Sequence, residues 1–149
     1  MEVTGIKGIT IETGKDIYTI KSEKNIDIPE WLALFLEEEG IVKIKIYDNK
    51  YYQRIILEEK KDKKLSSLDE DFYELAEISL KKTDPEYRKK LAISLKELID
   101  LRTRKLMQFA IQNAEIKIPH RERVLYNRIR NEITNWFADV EGMFDGDRV

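Results

Sequence analysis

From Pro85 to about Asn113 the chain reads as one helix with no glycine and no second proline, and that stretch limits the folds open to it. About 30 residues at 1.5 Å each give an element of about 45 Å. A helix of that length is the spine of any bundle that a chain of 149 residues can build. Asp84 and Pro85 supply a cap and a first-turn proline. The apolar positions Leu91, Leu95, Leu98, Leu101, Leu106, Phe109 and Ala110 precess around the axis, so the helix is expected to meet different neighbours at its two ends.

Two further helices flank the spine. The stretch "DEDFYELAEISLKK" sets Phe72, Leu75, Ala76 and Ser79 on one stripe behind acidic residues that suit a helix N-terminus. A last helix starts near Pro119 and carries Leu125, Ile129, Ile133, Trp136 and Val140 at spacings of three and four. The closing "GMFDGDRV" is expected to fray.

The first third has a different period. Val3, Ile6, Ile9 and Ile11, then "IYTIK" from Ile17, "IVKIKIY" from Ile41 and "YYQRIIL" from Tyr51 read as short strands separated by glycines and by Asp48-Asn49. In the 41–47 strand Ile44 and Ile46 face one way and Lys43 and Lys45 face water, and a turn at Asp48 to Lys50 is expected to fold it onto the next strand. Among these strands lies "IPEWLALFLEEEGIVKI", a short helix with Pro29 in its first turn, Asp27 as cap and Gly40 as its stop. Trp31, Leu34 and Phe35 share one face of it. They are expected to close the core of a module too small to bury much surface, and any part left exposed would want a partner.

Residues 58–67, "EEKKDKKLSS", hold one large apolar residue and no aromatic, and read as a solvated connector. The expected organisation is α+β: a small N-terminal β-rich domain with one short helix (1–57), the connector (58–67), an all-α helical bundle domain (68–144) and a tail (145–149). Lys and Arg (27) nearly balance Asp and Glu (29), so wholesale electrostatic capture by nucleic acid or anionic lipid is disfavoured. Cysteine is absent, which excludes disulfides and thiolate chemistry. No apolar run has the length of a membrane span and the first residues lack a signal-peptide pattern, so a soluble, cytoplasmic protein with no membrane partner is expected.

Catalytic chemistry finds little to work with. His120 is the single histidine and stands beside Arg121 and Arg123, whose charges oppose its protonation; a surface or capping role suits it better than a base without a partner. Asp69, Glu70 and Asp71 sit where a helix dipole favours acids, and Asp145 and Asp147 are only a fragment of a calcium loop. No phosphate loop or nucleophile elbow is present. The expectation is no enzyme, no cofactor and no metal.

The basic residues leave two readings open. Arg121, Arg123, Arg128 and Arg130 crowd the start of the last helix and offer a face for DNA or a partner. Interleaved Glu97, Glu122 and Glu132, and Asp100 four residues before Arg104, suggest instead that much of this charge is paired or solvated.

Three stretches together resemble the subunits of the GINS replication complex, specifically the archaeal ones. "IPEWLALFLEEEGIVKI" is similar to the proline, Trp-Leu-Ala, leucine and glycine pattern of the small GINS domain. "LSSLDEDFYELAE" resembles the phrase that opens its helical domain, and "LKELIDLRTRKLMQFA" the Asp-Leu-Arg-x-Arg-Lys segment of its long helix. The resemblance covers nearly the whole chain. With the β-rich module first, the order resembles the archaeal type related to the second and third eukaryotic partner subunits, and the assignment to that type rests on domain order. The resemblance implies a non-enzymatic scaffold that forms a heterotetramer with its sister subunit, two copies of each. It also implies contacts with the MCM helicase and a Cdc45/RecJ-like protein, and admits primase or DNA as further partners.

The apolar stripe of the long helix exceeds what two or three shorter helices can cover. Leu98, Leu101, Arg102, Lys105, Leu106, Phe109 and Ala110 are therefore expected to pack against other subunits. The competing class is a standalone nucleic-acid-binding module that grips phosphates with its basic helices, for which affinity would fall steeply with salt.

Overall fold

A computed structural model describes residues 1–146. Its elements run β1 (Glu2–Gly5), β2 (Ile9–Thr13), β3 (Asp16–Ile20), β4 (Asn25–Asp27), α1 (Glu30–Glu38), β5 (Val42–Ile44), α2 (Asn49–Lys61), α3 (Phe72–Lys82), α4 (Pro85–Ile111) and α5 (His120–Asp145). The class is α+β, with short antiparallel strands first and helices after, as expected. The chain divides into two units, 1–47 and 48–149.

In the first unit β1 is the centre of a three-stranded antiparallel sheet, with Val3 opposite Ile26 of β4 on one side and Ile44 of β5 on the other. β2 and β3 form a separate hairpin whose last pair is Thr13 with Asp16. Gly5 is buried where a Cβ would overlap the Lys21 carbonyl oxygen, so glycine is required for β1 to approach the chain after β3. In β5 the alternation holds over Val42, Lys43 and Ile44, with the lysine exposed and its neighbours buried.

Helix α1 packs against β5 and buries Leu32, Ala33 and Leu36. Gly40 follows it at φ +71°, a left-handed conformation that suits glycine at a helix stop. Asp27 does not cap this helix; its Oδ1 accepts a hydrogen bond from the Met1 ammonium at 2.5 Å, and Pro29 stands at the cap position. Nor do Trp31 and Phe35 close the core. Trp31 is 61% exposed and Phe35 and Leu34 are exposed beside it, because the helix meets the sheet through the neighbouring stripe.

The second unit begins earlier than the charged run indicated. Residues 51–57 form helix and not a strand, and Asp48 starts the helix by accepting from the Tyr51 amide at 3.2 Å, so no hairpin forms there. Tyr52, Ile55, Ile56 and Glu59 are buried at spacings of three and four along α2. Residues 58–61 complete this helix, so the stretch 58–67 is not a free connector.

Helix α4, 27 residues long, is the expected spine, and α2, α3 and α5 all pack on it. Phe72, Ala76 and Ser79 of α3 are buried, with the Tyr52 and Phe72 rings edge to face at 5.9 Å. Towards the other end of α4, Leu106 and Ala110 pack with Ile118 and Tyr126. Asn113 turns the chain out of α4 at φ +53°, and its side-chain oxygen accepts from Arg130 at 2.6 Å. The Tyr126 hydroxyl donates to the Ala114 carbonyl and ties this turn to α5. Helix α5 continues to Asp145 through Gly142, past the point at which fraying was expected; Asp147 and the rest of the tail, 147–149, lie outside the described residues.

Candidate interaction surfaces

At the middle of α4 a charged cluster fills what the neighbouring residues mark as an apolar stripe. Arg102, 1% exposed, lies one turn from buried Leu98 and one turn from buried Leu106. Its guanidinium donates to both oxygens of Glu122 on α5, at 2.6 and 2.8 Å. It also donates to Glu59 of α2 at 2.6 Å and to the Ser66 carbonyl at 2.9 Å. Lys105 donates to the second Glu59 oxygen at 2.6 Å, and the Tyr73 hydroxyl of α3 to Glu122 at 2.6 Å. One planar guanidinium thus ties α4 to α2, α5 and the α2–α3 connection, a task suited to its fixed fork of donors, and Tyr73 brings in α3 through Glu122.

Two cations face two carboxylates in this cluster, which is how buried charge is tolerated. Burial pushes the Glu59 carboxyl up, but hydrogen bonds from Lys105 and Ser66 and the charge of Arg102 outweigh it and hold the group below the usual carboxylate range. Burial likewise works against the Arg102 charge, and the bonds and charges of Glu122 and Glu59 outweigh it. Tyr73 is pushed above the ordinary phenol value by burial and by the Glu122 carboxylate it serves. The groups are satisfied by one another, and the cluster holds the bundle together.

The residues expected at a subunit interface are therefore mostly interior to the unit itself. Leu98, Arg102, Leu106 and Ala110 are buried, while Leu101, Lys105 and Phe109 are half-buried. Their faces are covered by α5, by α2, where a strand was expected, and by the connection after α2.

The uncovered apolar surface lies on the next faces round. Met107 and Ile111 of α4, with Ile129, Ile133, Trp136 and Phe137 of α5, line an open groove of about 520 Å³ with Arg128 and Glu132 at its rim. Trp136 is 65% exposed there. Met143 and Phe144 extend exposed apolar surface along the end of α5. Of the predicted α5 stripe, Ile129 and Ile133 pack on the Leu106 cluster and Trp136 reaches past it. The signal for this groove was present in the pairs Met107/Ile111 and Trp136/Phe137, which continue each helix's apolar pattern beyond the side that α4 and α5 bury against each other.

The four arginines do not form an open basic face. Arg121 is paired with Glu74 and Glu77 at 3.2 and 3.3 Å, and Arg123 with Glu70. Arg130 is bound to Asn113 and lies 5.4 Å from the Tyr126 ring centre. Of these four, Arg128 is the one that is exposed with no ion pair among the described residues. Arg104 pairs with Asp100 one turn away, as its spacing predicts. His120 is exposed at the first residue of α5.

No helix of the described residues is long and apolar enough to cross a membrane. No protein-family model matches the chain, and no curated protein matches its sequence.

Proposed function

We infer that the chain is a non-catalytic scaffold subunit of a GINS-type replication complex. On this reading it acts in the cytoplasm and joins a sister subunit of reversed domain order, two copies of each, in an assembly that binds the MCM helicase and a Cdc45/RecJ-like protein. The observation that carries the reading is the groove between α4 and α5, with its six apolar lining residues and an exposed tryptophan at its mouth. Large contiguous apolar surface of this kind marks a protein contact in a chain otherwise so rich in charge.

The phrases that resemble the family sit at positions that organise the unit. Ser66 of "LSSLDEDFYELAE" and Arg102 and Lys105 of the Arg-x-Arg-Lys segment meet at Glu59. Tyr73 of the first phrase meets Arg102 through Glu122. A nucleic-acid-binding module gains no comparable support, because Arg121 and Arg123 are committed to carboxylates.

Light scattering on a sizing column, for this chain alone and mixed with the reversed-order subunit at low and high salt, tests the proposal. A salt-resistant complex with two copies of each chain is expected. A chain that ignores that subunit and shifts only with DNA, releasing it as salt rises, overturns the scaffold reading.

A further inference from the structure

Helix α1 has two apolar stripes and covers only one. Leu32, Ala33 and Leu36 lie on the sheet, while Trp31, Leu34 and Phe35 stand exposed at spacings of three and four. Glu38, seven residues after Trp31, ends the same stripe; Glu30 borders its start and Glu39 follows it. All three glutamates are exposed, and none takes part in an ion pair among the described residues. Glu37 has its own task, accepting from the Ile44 amide at 2.7 Å.

The charge carried by this helix and its entry is of one sign. Residues 25–40 contain no Lys, Arg or His. Among the nearby cations, Lys24 precedes β4, Lys43 of β5 is exposed between the buried Val42 and Ile44, Lys45 just after β5 is paired with Glu2 at 3.2 Å, and Lys7 donates its amide to the Ile41 carbonyl at 3.3 Å beyond the end of the helix. Glu38 and Glu39 also close the helix at the end where its dipole is already negative and where cations are the favoured residues. Their placement does not serve the helix, and it creates a negative rim around an apolar centre.

We propose that this face of α1 docks a basic amphipathic helix of a partner protein, its apolar stripe seated on Trp31, Leu34 and Phe35 and its Lys or Arg residues meeting Glu30, Glu38 and Glu39. A second copy of the chain is a poor occupant, since a two-fold contact would set these glutamates against their own counterparts. Nucleic acid and anionic lipid are repelled by the same rim. A helix with an apolar centre and cationic flanks satisfies both features at once, in the helix-on-groove manner. The inference concerns the first unit alone and does not rest on the assembly proposed above.

The test uses the full chain with Trp136→Phe, which leaves Trp31 as the single tryptophan. Its emission is followed on titration with three synthetic amphipathic helices: a leucine stripe flanked by lysines, the same stripe flanked by glutamates, and the lysine-flanked helix with serine in place of leucine. Saturable binding and a blue shift with the first helix only are expected. Converting Glu30, Glu38 and Glu39 to lysine should weaken that helix by about tenfold, the combined effect of three rim pairs, and should admit the glutamate-flanked helix instead. Equal binding of both leucine helices, or binding of neither, overturns the proposal. So does a Trp31 emission already that of a buried indole without peptide, since the face would then be covered by the chain itself or by a second copy.

Discussion

Arg102 is the residue on which most of the helical unit converges, and its removal has a calculable consequence. Arg102→Ala leaves the buried Glu122 carboxylate without its cation and Glu59 with Lys105 alone, a change that costs about 3–5 kcal/mol. Urea unfolding should show this as a lowered midpoint; a midpoint unchanged within error would mean that the cluster is solvated. Arg102→Lys should recover only part of the loss, because an ammonium cannot bond two carboxylates in the same fork. The cluster also sets the acid response. Glu59 is held below its reference value of 4.5, so its folded pKa lies under its unfolded one. Its contribution is then complete above about pH 4.5 and is lost as pH falls through the folded value. Stability measured from pH 7 downward should therefore decline below about 4.5, and Glu59→Gln should be less stable at pH 7 with a flatter acid limb. An identical acid limb in the variant would assign the decline to other carboxylates.

At the level of elements, three helices were legible because each combined apolar residues at spacings of three and four with a proline or an acid at its start: α4 and α5 begin within a residue of Pro85 and Pro119 as expected, while α3 starts at Phe72, after the acidic residues expected to open it. Helix α2 was not. Its Tyr and Ile residues have strand propensity, yet the doublets Tyr51-Tyr52 and Ile55-Ile56 repeat at four and Glu59 completes the buried stripe at seven from Tyr52. The charged run that followed looked solvated because nothing in one helix reveals that Glu59 meets Arg102 and Lys105 of another. Arg102 itself carried a signal, a charge at the midpoint of a Leu98 to Leu106 stripe. Helix α1 was placed correctly but turned wrongly, since both of its stripes are apolar and nine residues fit either way. The orientation predicts unequal effects. Leu32→Ala should cost about 2–5 kcal/mol as a core truncation, whereas Trp31→Ala, despite the larger side chain, should stay within about 0.5 kcal/mol. Chemical denaturation followed through the signals of residues 1–47 distinguishes them, and a larger loss for Trp31 would return that ring to the core.

At the scale of the whole molecule, the division of apolar residues between interior and surface separates variants that harm folding from variants that harm association. Leu98 is fully buried, so Leu98→Ala should destabilise the helical unit by about 2–5 kcal/mol and weaken assembly only as far as it unfolds the chain. Trp136 and Ile111 line the open groove, and Trp136→Ser or Ile111→Ser should leave the isolated chain stable within about 0.5 kcal/mol. If the groove is the centre of a subunit contact, each serine variant should still weaken association by about 2 kcal/mol or more, roughly 30-fold, as loss of a central apolar anchor does. Sedimentation equilibrium of each variant with the reversed-order subunit, beside thermal unfolding of the variant alone, measures both quantities on the same material. Full-strength association by both serine variants would remove the groove from the interface and leave the proposed assembly without its principal support. Weak association together with an unaltered melting temperature is the pattern that only a surface contact produces, because a core defect lowers both together.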